Sequence, residues 1–143
     1  RNIDSFIFLD CISTVAPIGI FFGRIANFLN SELYGKETTV PWSFVFKKVD
    51  NIARHPTQLY EAALEGILLF IILNILIKIN LLSKKGFISS IFLILYSIFR
   101  FLIEFYREPD PQLGYLIFNF TMGQILSLFL LAIGIIIFFK NEK

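Results

Sequence analysis

Four polar residues in segment 23–35, which reads GRIANFLNSELYG, have the types and spacing to bind a charged headgroup. Arg24 carries a planar guanidinium whose N–H groups match the oxygens of a phosphate. Three side chains that could orient the rest of a headgroup follow within nine residues, namely Asn27, Asn30 and Glu32. Because the apolar run 14–22 precedes them, they are expected at a membrane surface. We interpret the segment as one wall of a phospholipid site.

Three other charged residues bear on the same chemistry. Arg107 offers a second guanidinium for a phosphate, whereas Arg100 and Glu104 stand one helical turn apart and are expected to pair with each other. A simpler interpretation of Arg24 also stays open, because interfacial arginines commonly reach lipid headgroups without specificity. The polar residues clustered beside Arg24 favour the specific site.

His55 is the only histidine, and its titration range suits a general base. From spacing alone we favour a loop histidine that caps the next helix or faces solvent. One histidine and one cysteine, Cys11, cannot build a metal cluster, and no glycine-rich nucleotide loop or serine elbow occurs. The sequence therefore predicts neither a metal nor a cofactor.

The composition is that of an integral membrane protein. Hydrophobic residues make up 56% of the chain and charged residues 17%, against about 45–50% and about 25% in soluble domains. The net charge of +2 is too small to indicate nucleic-acid binding. A single cysteine excludes an internal disulfide framework. We predict an all-α membrane fold.

Four membrane-spanning helices are predicted, over residues 6–28, 58–82, 87–106 and 121–139. The polar stretch 31–57 is a long head loop, whose VPWSFVF patch is expected to lie at the membrane interface or to form a short strand pair. We expect Pro109 and Pro111 to end the third helix. Residues 1–143 are then one partial membrane domain.

Each of the two middle spans carries a polar stripe. Gln58, Glu61 and Glu65 share one face of the second span. The two glutamates either hold Arg24 or Arg54 in place or face water. The stripe of the third span consists of Arg100, Glu104 and Arg107.

Four crossings alternate sides of the membrane, so the head loop and both polar stripes should gather at one end. The lysine turn with Lys84 and Lys85 lies at the opposite end, together with the tail lysines Lys140 and Lys143. The positive-inside rule assigns the lysine end to the cytoplasm. Polar groups at membrane depth then imply a wet cavity between the helices near the outer face.

Four blocks of this sequence resemble those of bacterial prolipoprotein diacylglyceryl transferases. They are GRIANFLNSELYG at 23–35, RHPTQLYEA at 54–62, FRFLIEFYREPD at 99–110 and TMGQILS at 121–127, in that family's order and spacing. Two positions depart from the pattern, because Ala26 and Ser31 stand where glycine is usual. Both residues are small, so close helix packing is expected to survive.

The resemblance implies an enzyme of the bacterial inner membrane with its active face toward the periplasm or exterior. It would move the diacylglyceryl group of phosphatidylglycerol onto the thiol of a prolipoprotein's lipobox cysteine, without a cofactor. It also implies upstream spans with another histidine, so we expect this chain to be a fragment of a larger helical membrane enzyme.

The resemblance also assigns residues. Arg24, Asn27 and Gly35 match signature positions, and Arg107 matches a second arginine that faces phosphate. Motif positions with less defined roles are matched by Glu32, His55, Gln58 and Glu61. We predict Arg24, Asn27, Glu32 and Arg107 as catalytic, and the residues predicted to bind substrate are Arg24, Asn30, Gly35, His55, Gln58, Glu61 and Arg107.

Two other functions are weighed against a transferase. A transporter or channel would spread its polar groups across the bilayer, whereas here they crowd toward the head end. A protein that only binds anionic lipid would not need Asn27, Asn30 and Glu32 beside Arg24. The sequence therefore favours an enzyme that acts on a phospholipid.

Overall fold

The computed structural model describes residues 4–79, 84–109, 112–116 and 119–140. These residues form four long helices: α1 (Ser5–Asn30), α2 (Thr57–Lys78), α3 (Phe87–Ile103) and α4 (Met122–Lys140). Three of them, α1, α2 and α4, are long and apolar enough to cross a membrane, and the shorter α3 is also apolar. The predicted all-α membrane fold is confirmed, and four spans agree with it.

The helix ends lie within two residues of the predicted spans, except at the ends of α2 and α3. α3 ends at Ile103 rather than at residue 106, because residues 104–106 turn toward an extended segment around Arg107. α2 ends at Lys78, and the predicted residues 80–82 lie outside the described residues. Residues 110 and 111 also lie outside the described residues. Pro111 is one of the two prolines expected to end the third helix.

Helix α1 has a defined cap at each end. The Asp4 carboxylate accepts a hydrogen bond from the Phe6 amide at 2.9 Å. At the other end Ser31 has a φ of 63°, in the left-handed region that ends many helices and that glycine adopts most easily. The left-handed backbone, rather than close packing, therefore explains why the blocks that this sequence resembles usually have glycine at the position of Ser31. Ala26 is exposed, so close packing does not explain glycine there either.

Helix α2 is continuous but not uniform. Residues Thr57–Glu61 and Leu69–Lys78 are α-helical, and Ala62–Leu68 between them is π-helical. Gly66 lies in the π-helical segment against Phe21 of α1, where an added Cβ would stand 2.8 Å from the Phe21 Cβ. Single π-helical segments are rare and often occur at functional sites.

An apolar core joins α2 to α3 in the middle of the bundle. Leu69, Leu73 and Ile88 are fully buried there. Helix α4 packs along α3, with Gly134 so close to Leu93 and Ile94 that a Cβ would stand about 3 Å from both. Small residues at such contacts let membrane helices approach each other closely.

Asp10 joins α1 to the beginning of α3. Its buried carboxylate accepts hydrogen bonds from the amides of Gly86, at 2.7 Å, and Ser89, at 2.8 Å. Lys85 forms an ion pair with Asp4 nearby at 2.9 Å. The first turns of α1 and α3 therefore lie at the same end of the bundle, as the alternation of crossings requires.

The head loop contains a short antiparallel strand pair, as one of the two predictions for the VPWSFVF patch stated. Strand β1 (Phe44–Val45) pairs with β2 (Ala53–Arg54), with Phe44 opposite Arg54. The buried Phe46 follows β1 and packs against the rings of Phe28 and Tyr34. The strand pair therefore sits directly on the last turn of α1.

Candidate active site

Three arginines and three glutamates meet where α1, α2 and α3 approach the head loop. This charge cluster consists of Arg24, Arg100, Arg107, Glu61, Glu65 and Glu104. All six side chains are buried or nearly so, and their formal charges cancel. Isolated buried ions cost several kcal/mol each, so mutual pairing is what makes this arrangement tolerable.

Glu61 is the centre of the charge cluster. Its Oε2 lies 3.2 Å from Nε of Arg24, on one side. Its Oε1 forms an ion pair with Arg100 and lies 3.9 Å from Nη1 of Arg107, on the other side. Two guanidinium groups more than 80 residues apart in the sequence therefore approach one fully buried carboxylate.

Glu65 and Glu104 complete the pairing. Glu65 Oε2 lies 3.5 Å from Nη2 of Arg24, so the α2 glutamates hold Arg24 and not Arg54. Arg100 pairs with Glu104 at 2.8 Å, which confirms the predicted internal pair. Among the described residues, the ion-pair contacts of Arg107 are 3.8 and 3.9 Å long, so its guanidinium is held less tightly than those of Arg24 and Arg100.

Gly35 fixes the position of Arg107 through the backbone. The two residues form an antiparallel bridge, flanked by a bond from the Lys36 amide to the Tyr106 carbonyl at 2.9 Å. On its other side Gly35 donates to the His55 carbonyl at 2.9 Å. A Cβ at this position would stand 2.5 Å from the His55 oxygen and 2.8 Å from the Tyr106 oxygen. Only glycine fits between these two backbones.

Arg54 supports the same segment from the head loop. It binds Asp50 through two nitrogens, at 3.1 and 2.7 Å, and donates to the Gly35 carbonyl at 3.3 Å. Its guanidinium also lies over the Tyr34 ring, 4.9 Å from the centroid. The hydrogen bond from Arg54 lowers the pKa of the Asp50 carboxyl, and the same bond raises the pKa of Arg54.

The structure does not bring three predicted residues into the charge cluster. Asn27, Asn30 and Glu32 lie at the end of α1 and in the turn after it, and within the described ranges their side chains form no hydrogen bond or ion pair with the cluster. Glu32 is nevertheless tied to α2, because its carbonyl accepts a bond from the buried Gln58 side chain at 2.6 Å. This end of α1 is thus fixed against the beginning of α2.

His55 also lies beside the cluster rather than in it. Its Nδ1 is 3.1 Å from the Tyr60 hydroxyl, and its ring packs edge-on against Tyr106 with centroids 5.2 Å apart. The ring is half-buried, and burial lowers the pKa of His55. The position in the loop before α2 agrees with the prediction, but the ring neither caps α2 nor faces solvent fully.

A cleft of about 180 Å³ opens next to the charge cluster, between α3 and the beginning of α4. Its lining residues are Arg100, Glu104, Arg107, Leu113, Gly114, Thr121, Met122 and Gly123. Thr121 donates to Glu104 at 3.0 Å, and a Cβ at Gly123 would stand 2.7 Å from that carboxylate. Arg24 is not among the residues that line this cleft, and it contacts the Glu61 oxygen that Arg100 and Arg107 do not.

Across the described ranges, no group of three or more His, Cys, Asp or Glu side chains is arranged to hold a metal ion. The acidic side chains of the charge cluster are instead paired with arginines.

Comparison with known proteins identifies the family. A family model described as prolipoprotein diacylglyceryl transferase matches residues 1–140. The chain belongs to the prolipoprotein diacylglyceryl transferase family.

Curated relatives carry the name phosphatidylglycerol–prolipoprotein diacylglyceryl transferase. The relative from Methylocella silvestris is 52% identical over 88% of this chain and 46% of its own length. The relative from Wolbachia pipientis subsp. Culex pipiens is 49% identical over 96% of this chain and 53% of its own length. The relative from Rickettsia bellii is 51% identical over 93% of this chain and 51% of its own length. The chain spans about half the length of the curated relatives that it matches.

Two features of this site, in addition to the Gly35 bridge, were not predicted from the sequence. Arg54 with Asp50 was not predicted as a support for Gly35, although an i, i+4 pair of opposite charge is visible in the sequence. The other is Glu61 as a contact shared by three arginines. It was assigned to the correct helix face, but no spacing rule specifies its partners on other helices.

Proposed function

We propose that this chain serves the transfer of the diacylglyceryl group from phosphatidylglycerol to the thiol of a lipobox cysteine in a prolipoprotein. The observation that carries the proposal is the approach of Arg24 and Arg107 to the two carboxylate oxygens of Glu61, beside a cleft at the head-loop end of the bundle. The names of the relatives support the same substrates. The membrane would be the bacterial inner membrane, with the head loop outside.

The charge cluster suits both parts of a phosphatidylglycerol headgroup. Arg107 lines the cleft and holds its carboxylates only loosely, so its guanidinium is available to a phosphate. Glu104 lines the same cleft, so its carboxylate can accept a hydrogen bond from a glycerol hydroxyl beside the phosphate. The cleft therefore offers a donor for the phosphate and an acceptor for the glycerol.

The proposed reaction is a substitution at a glycerol carbon of the lipid. The sulfur of the lipobox thiolate forms the new C–S bond, and the C–O bond to phosphate breaks with its electron pair remaining on oxygen. The product is a thioether, and glycerol phosphate leaves with one more negative charge than the diester had. The thiol proton goes to a base.

Two requirements follow from this chemistry. A free thiol has a pKa of about 8.5, so only a few per cent is thiolate at neutral pH and a base or a positive field must raise that share. The charge that grows on phosphate must be stabilised more strongly than the ground-state diester. Arg24 and Arg107 would supply that stabilisation in a site of low dielectric. The other predicted site residues lie on the side of this site that faces the head loop, and they remain predictions: Asn27, Asn30, Glu32, His55 and Gln58.

The arginine geometry can be tested with Arg24→Lys. Lysine keeps the charge but loses the fork that contacts Glu61 and Glu65 together, so we expect a rate of thioether formation at least about tenfold lower, with most lipid binding retained. The assay uses the full-length enzyme in membranes with labelled phosphatidylglycerol and a lipobox peptide.

Lys84→Ala is the matched control, because it removes an exposed charge at the opposite end of the bundle and should leave the rate unchanged. Turnover of Arg24→Lys close to that of the control would refute the proposed role of the guanidinium. A full-length enzyme that forms no thioether at all, while still binding the lipid, would refute the proposed function itself.

A further inference from the structure

The strand pair of the head loop exposes apolar and basic side chains together. Trp42 is 62% exposed, and Phe44 two residues later is 45% exposed. Lys47 and Lys48 follow the buried Phe46 and are exposed as well. We call Trp42, Phe44, Lys47 and Lys48 the hairpin face. Large apolar side chains next to unburied lysines are unusual on a surface that meets only water.

The hairpin face lies where α1 leaves the hydrocarbon layer. The Phe44 ring packs on Phe28 in the last turn of α1, with centroids 4.9 Å apart, and Lys48 donates to the Leu29 carbonyl at 3.5 Å. Leu29 itself is 68% exposed on the outside of α1. A helix of 26 residues is about 39 Å long against about 30 Å of hydrocarbon, so its end reaches the headgroup layer.

The positive charges of this face are not neutralised by the residues that the structure describes. In the part of the chain that the structure describes, no carboxylate lies within ion-pair distance of Lys47 or Lys48. The nearest acidic residue along the chain, Asp50, is already bound by Arg54. Two lysines whose charges are unpaired among the described residues, beside tryptophan and phenylalanine, suit a membrane surface that offers both lipid phosphates and acyl chains.

We propose that the hairpin face docks on the anionic lipids of the membrane in which the helices stand. Trp42 and Phe44 enter the region between headgroups and acyl chains, while Lys47 and Lys48 contact lipid phosphates. Trp42 also donates to the Tyr60 hydroxyl at 2.8 Å, one residue before Glu61. The docked hairpin therefore holds the beginning of α2 at a fixed depth. This proposal does not rest on the transfer reaction.

Trp42 provides the measurement, because it is the only tryptophan of this chain. The full-length protein is reconstituted in bilayers in which either phosphatidylcholine or phosphatidylserine carries bromine, which quenches tryptophan on contact. Subtracting the emission of the Trp42→Phe variant isolates the Trp42 signal. Phosphatidylserine serves as the anionic lipid so that the predicted substrate is absent.

We expect brominated lipid to quench Trp42, with phosphatidylserine preferred by at least about fivefold per contacting lysine. The double variant Lys47→Gln/Lys48→Gln should lose the preference but keep the quenching, and Lys84→Gln should change neither. In the unmodified protein, high salt should weaken the preference, since exposed charges are screened. Trp42 that no lipid quenches, or that is quenched equally by both lipids, would overturn the proposal.

Discussion

Gly35 lies between two backbones, with His55 on one side and Tyr106 on the other. Because Arg107 follows Tyr106 and bridges to Gly35, any widening at this point displaces the arginine from the charge cluster. Conformational freedom is not the reason for glycine here, since the close contacts alone exclude a side chain. Gly35, which has no side chain, therefore fixes the position of the Arg107 guanidinium.

Gly35→Ala is therefore expected to lower the free energy of unfolding by about 1–3 kcal/mol, as overpacking does, and to reduce activity further by moving Arg107. Thermal unfolding in detergent and the transfer assay measure the two effects. Gly23→Ala is the control within the same segment, because a Cβ there meets nothing within 4 Å. Equal behaviour of the two variants would contradict the steric explanation.

His55 should make the head loop sensitive to pH. Burial lowers its pKa below the ordinary value of 6.5, so the unfolded chain takes up the proton first. Stability is then fully present above pH 6.5 and is lost as the pH falls through the lower folded pKa. Comparing unfolding midpoints of the protein and of His55→Gln between pH 7.5 and 5 tests this, and the variant should lose less stability on acidification.

At the level of elements, α1 and α3 are joined by Asp10 rather than by apolar packing alone. The carboxylate satisfies the amides of Gly86 and Ser89, which open α3 and would otherwise be buried without acceptors. A charged acceptor at a helix N-terminus also meets the positive end of the helix dipole. The contact therefore fixes where α3 begins.

Asp10→Ala should lower the free energy of unfolding by on the order of 2–4 kcal/mol, because it leaves buried donors unpaired. Lys85→Ala removes the exposed ion pair with Asp4 at the same end and should cost less than about 1 kcal/mol. Denaturation in mixed detergent micelles compares the two variants. If Lys85→Ala cost as much as Asp10→Ala, the role of Asp10 in fixing α3 would be wrong.

At the level of the whole molecule, the bundle separates two kinds of polar group. The charge cluster lies at the end that carries the head loop, and Asp4, Asp10 and Lys85 lie at the other end. Between them, the fully buried Leu69 and Leu73 are apolar, and the hydroxyls of the buried Ser90 and Ser97 donate to carbonyls of their own helix. This separation argues against a polar pathway through the membrane.

The orientation in the membrane can be tested with single cysteines in a Cys11→Ser background. Thr39 in the head loop and Lys84 in the lysine turn are both exposed. A membrane-impermeant maleimide added to intact cells should label Thr39→Cys and should label Lys84→Cys only after permeabilisation. The reverse pattern would place the candidate site on the cytoplasmic side.

Much of this architecture was predictable, because hydropathy sums over a long segment and the alternation of crossings decides which ends meet. The Arg100–Glu104 pair was predictable for a local reason, because residues four apart on a helix lie on the same face. The bridge between Gly35 and Arg107 was not, because it joins backbones far apart in the sequence. Asp10 was missed because an aspartate near the start of a span is indistinguishable by type from a surface residue.

The π-helical segment Ala62–Leu68 affects which side chains of α2 point inward. Glu61, Glu65, Leu69 and Leu73 are spaced by four, and all are fully buried. In a regular α-helix such a row drifts by about 40° at each step, or about 120° from first to last. A π turn takes more than four residues, so the row drifts the opposite way within it. Because the winding changes in this segment, the two glutamates and the two leucines of α2 all point to the buried side of the same helix.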